Sequence, residues 1–197
     1  ALYKNHDTGL MQYGFAVGDG WYPLIDVLSK LLVEQSIEIT AVQVKEKFGA
    51  LRFYIDFIHS EENSDFINGI CYMTEILSMA VCDECGKRGR LCRAAYLCTR
   101  CDEHSPDNVK IKDDNTDGLP FYLDVIGRMW RDRDANPQNY PTVKITEAHK
   151  ENGNLVVSIL GAEDDKFIDG MMRMLDAYVS IVNEETGEVL REFTDIR

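Results

Sequence analysis

Two C-x-x-C pairs, Cys82/Cys85 and Cys98/Cys101, stand twelve residues apart within CDECGKRGRLCRAAYLCTRCDEH, residues 82–104. No other stretch of the chain restricts its folding as tightly. A pair at this spacing forms a tight turn that offers two thiolates. A short hairpin between the turns can then close both around one tetrahedral ion. Gly86 follows the first pair, where the lack of a Cβ lets backbone N–H groups point at metal-bound sulfurs. The expected cofactor is a structural Zn2+.

The fourth ligand has two readings. His104 follows Cys101 at the same x-x spacing, so the second half can coordinate through Cys98 and Cys101 or through Cys101 and His104. Spacing alone favours four cysteines, since paired knuckles are common among structural sites. Iron in a rubredoxin-like site competes chemically, because the same thiolates suit it, but nothing nearby suggests electron transfer. A disulfide framework is disfavoured in a chain of 197 residues whose start, ALYKNHDTGLMQYGF, lacks the basic-then-apolar order of a signal peptide. Reduced cysteines and no export signal lead to the expectation of a cytoplasmic protein, and no apolar run approaches the roughly 20 residues of a membrane helix.

The net charge of -13 narrows the partners. Only the metal segment has more bases than acids, five against four, and its bases are Lys87, Arg88, Arg90, Arg93 and Arg100. A nucleic-acid binder gathers Lys and Arg on one face to displace counterions. Here the field as a whole repels nucleic acid and attracts a basic protein surface.

Along the chain, GDGWYPLIDVLSKLLVEQ reads as a helix, with Leu24, Leu28, Leu31 and Leu32 on one stripe and Trp21 as a staple before it. AVQVKEKFGALRFYIDFI reads as two strands about Phe48-Gly49, with Lys45, Lys47 and Arg52 forming a small basic patch near the turn. A helix over SEENSDFINGICYMTEILSMAV leads into Cys82 and places Cys71 on its core side. Residues 105–118 are rich in turn formers and read as a linker. Beyond it come a helix at LPFYLDVIGRMWRDR, two strands about Asn152-Gly153, a helix at DKFIDGMMRML, and a closing hairpin, AYVSIVN-EETG-EVLREFTDI. The expected fold class is α+β. An N-terminal helix–β-hairpin–helix unit (1–104) carries the zinc-knuckle loop (82–104). A small C-terminal antiparallel sheet with one or two helices (119–197) follows the linker.

DGWYPLI at 19–25, QVKEKFGALRFY at 43–54, the C-x-x-C-G of 82–86 and CDEH at 101–104 together resemble a group of small phage and prophage proteins. In that group a D-G-W block precedes a K-E-K-F-G-x-L-R-F-Y hairpin, and a C-x-x-C pair precedes a closing C-D-E-H. The resemblance covers about residues 12–104. It implies the ligands Cys82, Cys85, Cys101 and His104, with Cys98 extra, against the spacing preference; the fourth position stays open. No reaction is implied.

Three functions follow as expectations. The first is an acidic, phage-encoded interaction protein that inhibits a host or defence protein by imitating nucleic acid. Its partner-binding acids would be Asp113, Asp114 and Asp117, with Glu163, Asp164 and Asp165. The second is a zinc-knuckle nucleic-acid-binding accessory protein using Arg88, Arg90 and Arg93 of the metal loop together with Lys45, Lys47 and Arg52. The third and weakest is a zinc-dependent enzyme. No H-x-E with P-C-x-x-C, P-loop, or Ser/His/Asp order is present, so no catalytic residue is assigned.

Overall fold

A computed structural model describes residues 2–3, 9–35, 38–57, 61–93, 95–106, 119–135, 144–152 and 154–190, with the backbone alone at 57, 61–63 and 130–135. Short 3-10 turns at Gly9–Tyr13 and Asp19–Trp21 lead into α1 (Tyr22–Glu34). Pro23 sits in the first turn of α1, where its missing N–H costs nothing. Leu24, Leu28, Leu31 and Leu32 are fully buried. The strands β1 (Ile39–Lys47) and β2 (Ala50–Phe57) pair antiparallel, with Lys47 opposite Ala50 across a two-residue turn. α2 (Glu61–Ser78) then runs to the cysteine segment, whose β3 (Arg90–Arg93) and β4 (Leu97–Arg100) form a second hairpin. The remainder comprises α3 (Phe121–Ala135), the β5–β6 hairpin (Lys144–Glu151 and Asn154–Leu160), α4 (Lys166–Ile181), and a two-residue ladder of β7 (Val182–Asn183) with β8 (Glu188–Val189).

The architecture is therefore mixed, with four α-helices and four two-stranded antiparallel sheets among the described residues. α4 is longer than the sequence pattern suggests. AYVSI, expected as the first strand of the closing hairpin, continues the helix to Ile181, and only two residues a side are left for β7 and β8. A short run buried on all sides has no period by which strand and helix can be told apart. Here Met171, Met174, Leu175 and Tyr178 extend a helical stripe into the core.

α2 and α4 meet backbone to backbone. A Cβ on Gly69 would collide with the Phe167 carbonyl, and one on Gly170 with the Phe66 carbonyl. Glycine inside a helix costs about 0.5–1 kcal/mol relative to alanine. Here it lets the two axes approach, and Tyr72 packs its ring 5.7 Å from that of Phe167 beside the crossing. The expected division into 1–104 and 119–197 meets one shared hydrophobic cluster, which takes in Leu28, Ile70, Leu77, Val125, Met174 and Tyr178 alike. Of the expected linker only Ser105 and Pro106 are among the described residues, and the side chain of Trp130 lies outside them. Cys71 packs half-buried against the cluster, and burial pushes its thiol up to about 12.

Candidate metal centre

The first knuckle is a turn closed by the Gly86 N–H donating to the Cys82 carbonyl at 2.9 Å, with Gly86 in the left-handed region at φ 77°. The Cys82 N–H donates to the Lys87 carbonyl at 2.8 Å. The Lys87 N–H in turn donates to the Cys85 sulfur. After the β3–β4 hairpin a second turn follows, in which the His104 N–H donates to the Cys101 carbonyl at 3.1 Å.

These turns bring Cys82, Cys85, Cys101 and His104 together, with one ligand atom from each lying within 4.8 Å of all the others. The Cys85 and Cys101 sulfurs are 3.7 Å apart, and His104 Nδ1 lies 3.6 Å from the Cys82 sulfur and 3.4 Å from the Cys101 sulfur. An ion held tetrahedrally at about 2.3 Å by sulfur and about 2.0–2.1 Å by nitrogen requires edges of about 3.8 Å for S–S and about 3.6 Å for S–N. The observed edges match, while a disulfide would need about 2.05 Å; all six cysteines are free thiols. The cluster can hold a metal ion. Burial, with the neighbouring Cys82 and Cys101 thiols, pushes the Cys85 thiol up to about 12 against the pull of the Lys87 N–H. A cation between the sulfurs reverses that balance, because a coordinating thiol is deprotonated outright.

Cys98 stands elsewhere, which corrects the preference for four cysteines. It lies in β4 opposite Cys92 of β3, and both are buried. Residues alternate faces along a strand, so Cys98 and Cys101, three apart, diverge where the strand runs on through Arg100. The turn that the spacing placed at Cys98–Cys101 falls at Cys101–His104.

Segments distant in sequence pack against the cysteine turns. Gly18 and Gly20 lie directly against the first knuckle: the Gly20 N–H donates to the Asp83 carbonyl at 2.8 Å, and a Cβ on either glycine would strike knuckle backbone. Trp21, expected as a helix staple, donates its indole N–H to the Val81 carbonyl at 2.8 Å, one residue before Cys82. The β1–β2 turn leans on β4, where the Thr99 hydroxyl donates to the Gly49 carbonyl at 2.6 Å. Gly187, in the turn between β7 and β8, packs on the Cys85–Lys87 backbone.

Three of the loop's five basic side chains are held by carboxylates. Lys87 pairs with Glu103 at 2.8 Å, which raises the ammonium pKa and holds the Glu103 carboxyl below its usual range. Arg100 pairs with Asp83 and Glu84. Arg88 donates to the Leu119 carbonyl at 2.7 Å and pairs at 3.2 Å with Asp124, a carboxylate 1% exposed that Arg128 also clasps. Arg88 is therefore a structural tie between the knuckle and α3, and sequence reasoning gave Asp124 no role. Its signal was faint: one acid in an otherwise apolar helical turn. Arg90 is half-buried, and Arg93 is exposed. A cavity of about 260 Å³ beside Cys101 is lined by Lys87, Arg90, Arg100, Asp102, Glu103 and Glu185, so its walls carry both signs of charge.

Of the six acids expected to bind a partner, Asp113, Asp114 and Asp117 lie outside the described residues. Glu163 and Asp164 are exposed. Asp165 is the N-cap of α4, accepting from the Phe167 and Ile168 N–H groups at 3.0 and 3.1 Å, and so has a folding role. No helix among the described residues is long and apolar enough to cross a membrane. No protein-family model, curated protein or solved structure matches the chain.

Proposed function

We propose that this chain is a non-catalytic interaction protein. It is built on a structural zinc bound by Cys82, Cys85, Cys101 and His104, and it acts by presenting acidic surface to a protein with a basic face. Zinc fits a Cys₃His set of this size better than iron, which in a rubredoxin-like centre takes four thiolates. Four protein ligands close the shell, whereas a catalytic zinc keeps a position for water or substrate. The observation that carries the reading is the fate of the loop's bases. With Lys87, Arg88 and Arg100 each held by a carboxylate, three of the cluster's five bases are not available for displacing counterions, and Arg93 is the one left exposed. The net charge of -13 then dominates what a partner meets. The partner we propose is a host or defence protein whose basic site normally holds nucleic acid, in keeping with the resemblance to phage and prophage proteins.

The test is a pull-down from nuclease-treated host lysate, followed by kinetics on the protein recovered. Association should slow as salt rises, because exposed charges are screened over about 8 Å at physiological ionic strength. Replacing Glu163 and Asp164 with amides should lower the association rate more than it raises dissociation. Binding that is indifferent to salt and to these replacements would overturn the acidic-surface reading.

A further inference from the structure

The tip of the β1–β2 hairpin has a residue that the fold itself does not ask for. Phe48 and Gly49 form a two-residue turn with φ of 58° and 81°, the left-handed pair of a type I′ turn, for which Asn-Gly is the preferred sequence. A bulky aromatic side chain in the left-handed region is an outlier and costs about 1–2 kcal/mol. Core packing does not offset this, since Phe48 is 66% exposed. The turn is nevertheless held firmly. The Gly49 N–H donates to the Glu46 carboxylate at 2.5 Å, its carbonyl accepts from Thr99, and the neighbouring Leu51 N–H donates to the Ser78 hydroxyl at 2.8 Å. A strained, exposed ring is thus fixed in place by the hairpin that the metal ligands bracket.

Its neighbours are rings and cations. Lys47 Nζ lies 5.3 Å from the centre of the Phe48 ring, and Lys45 Nζ lies 5.4 Å from that of Tyr54, itself exposed. A Cβ on Gly49 would lie 3.5 Å from the backbone of Cys98, two residues along the chain from Tyr96, which is 63% exposed. Arg93, opposite Leu97 on the same β3–β4 hairpin, is exposed. Arg52 is excluded from this set because it pairs with Glu75.

We infer that this tip is a binding site for single-stranded nucleic acid, with Phe48 and Tyr96 offering stacking faces and Lys45, Lys47 and Arg93 meeting phosphates. Unstacked bases supply flat faces to exposed rings, and the phosphates between them supply a counter-charge that no carboxylate among the described residues gives the three cations. A duplex hides its base faces and is not the ligand. The chain's acidic field does not veto the site, because charges beyond about 8 Å are screened at physiological salt. The inference is independent of the acidic-partner reading and needs no basic protein.

The probe is a fluorescently labelled dT12 strand, measured by anisotropy with the metal-loaded full chain, beside a duplex of equal length. Three phosphate contacts on a single strand give a slope of about -2 in log affinity against log salt. The deciding variant is Phe48→Asn, which removes the ring while giving the turn its preferred Asn-Gly sequence. It should melt no lower than the wild type and yet bind dT12 about tenfold or more weaker, the loss of one base–aromatic stack. Lys47→Ala should reduce the salt slope by about 0.7, toward about -1.4. No binding of dT12 at 200 µM protein overturns the inference. So does binding that Phe48→Asn leaves unchanged, or equal affinity for the duplex.

Discussion

Replacing Gly20 with alanine tests whether the segment before α1 positions the metal ligands. The added methyl carbon would lie 2.6 Å from the Cys85 nitrogen, and closer still to the Cys82 carbonyl oxygen and the Gly86 nitrogen. Ordinary contact is about 3.5 Å, so the first knuckle must retreat by about 1 Å. Gly20 does not occupy the left-handed region, so backbone preference alone would make alanine stabilising by about 0.4–1 kcal/mol. The collision has the opposite sign and is larger, since overpacking of this kind costs about 1–3 kcal/mol. The displaced atoms belong to two ligands, so the loss should appear in metal binding. Zinc affinity should fall about 10- to 100-fold, the range seen when the support of a metal site is altered, in competition against a colorimetric chelator. Gly14→Ala is the control. It sits at φ 72° with nothing within 4 Å of an added Cβ, so it should lower the melting temperature through backbone strain but leave zinc affinity unchanged. Equal zinc affinity in Gly20→Ala and wild type would refute the argument.

Three further outcomes follow from the same geometry. His104→Ala should lower zinc affinity by about 100-fold or more, while Cys98→Ser should stay within a few-fold of wild type, both read by chelator competition. Asp124→Asn leaves Arg88 and Arg128 facing a neutral amide in a buried place; removing one partner of such a pair costs about 3–5 kcal/mol, or about 10 °C of melting temperature for a chain of this size. In the metal-free protein, Cys85 keeps its proton up to about 12 against an ordinary 9.0. The unfolded chain therefore releases that proton first, and the contribution to stability, intact below pH 9, is lost as pH rises toward 12. The metal-loaded form has already given up that proton, so denaturant melts across this window should separate the two forms.

The metal ligands were legible because they sit in one segment, where spacing speaks directly about geometry. The choice between Cys98 and His104 was not, because spacing does not say whether three residues make a turn or a stretch of strand. Only the pairing of Cys92 with Cys98 decides it, and that pairing is set by the hairpin as a whole. Helices α1 and α2 were readable from their apolar stripes, whereas the end of α4 hid in a run buried on every side. Gly20, Gly69 and Gly170 looked like ordinary punctuation. Their meaning comes from close approaches across 65 residues in the first case and about 100 in the others, which a single sequence does not display. The Arg88–Asp124 pair is equally non-local, so the loop's charge count overstated its free basicity.

The segments packed against the cysteine turns set the order in which a metal-free chain should loosen. The apparent free energy of structural zinc binding, about 10–16 kcal/mol in small zinc domains at pH 7, is comparable to the whole stability of a folded protein. Whatever leans on the knuckle should therefore loosen when the metal leaves. The 3-10 turn at Asp19–Trp21 does so through Gly20 and the Trp21 indole, and the β1–β2 turn through Thr99. The α2–α4 crossing does not, since its close approaches run between Gly69, Phe167, Gly170 and Phe66 and not to the cysteine turns of 82–104, and Met171 and Met174 are buried beside them. Hydrogen exchange after chelation should follow that order. The Gly20, Asp83 and Leu51 amides, which donate to the Asp83 carbonyl, the Thr99 carbonyl and the Ser78 hydroxyl, should lose protection first, while mid-α4 amides keep theirs. Simultaneous loss in α4 would mean that the core depends on the ion and that the knuckle is a keystone of the whole fold rather than a support for one face.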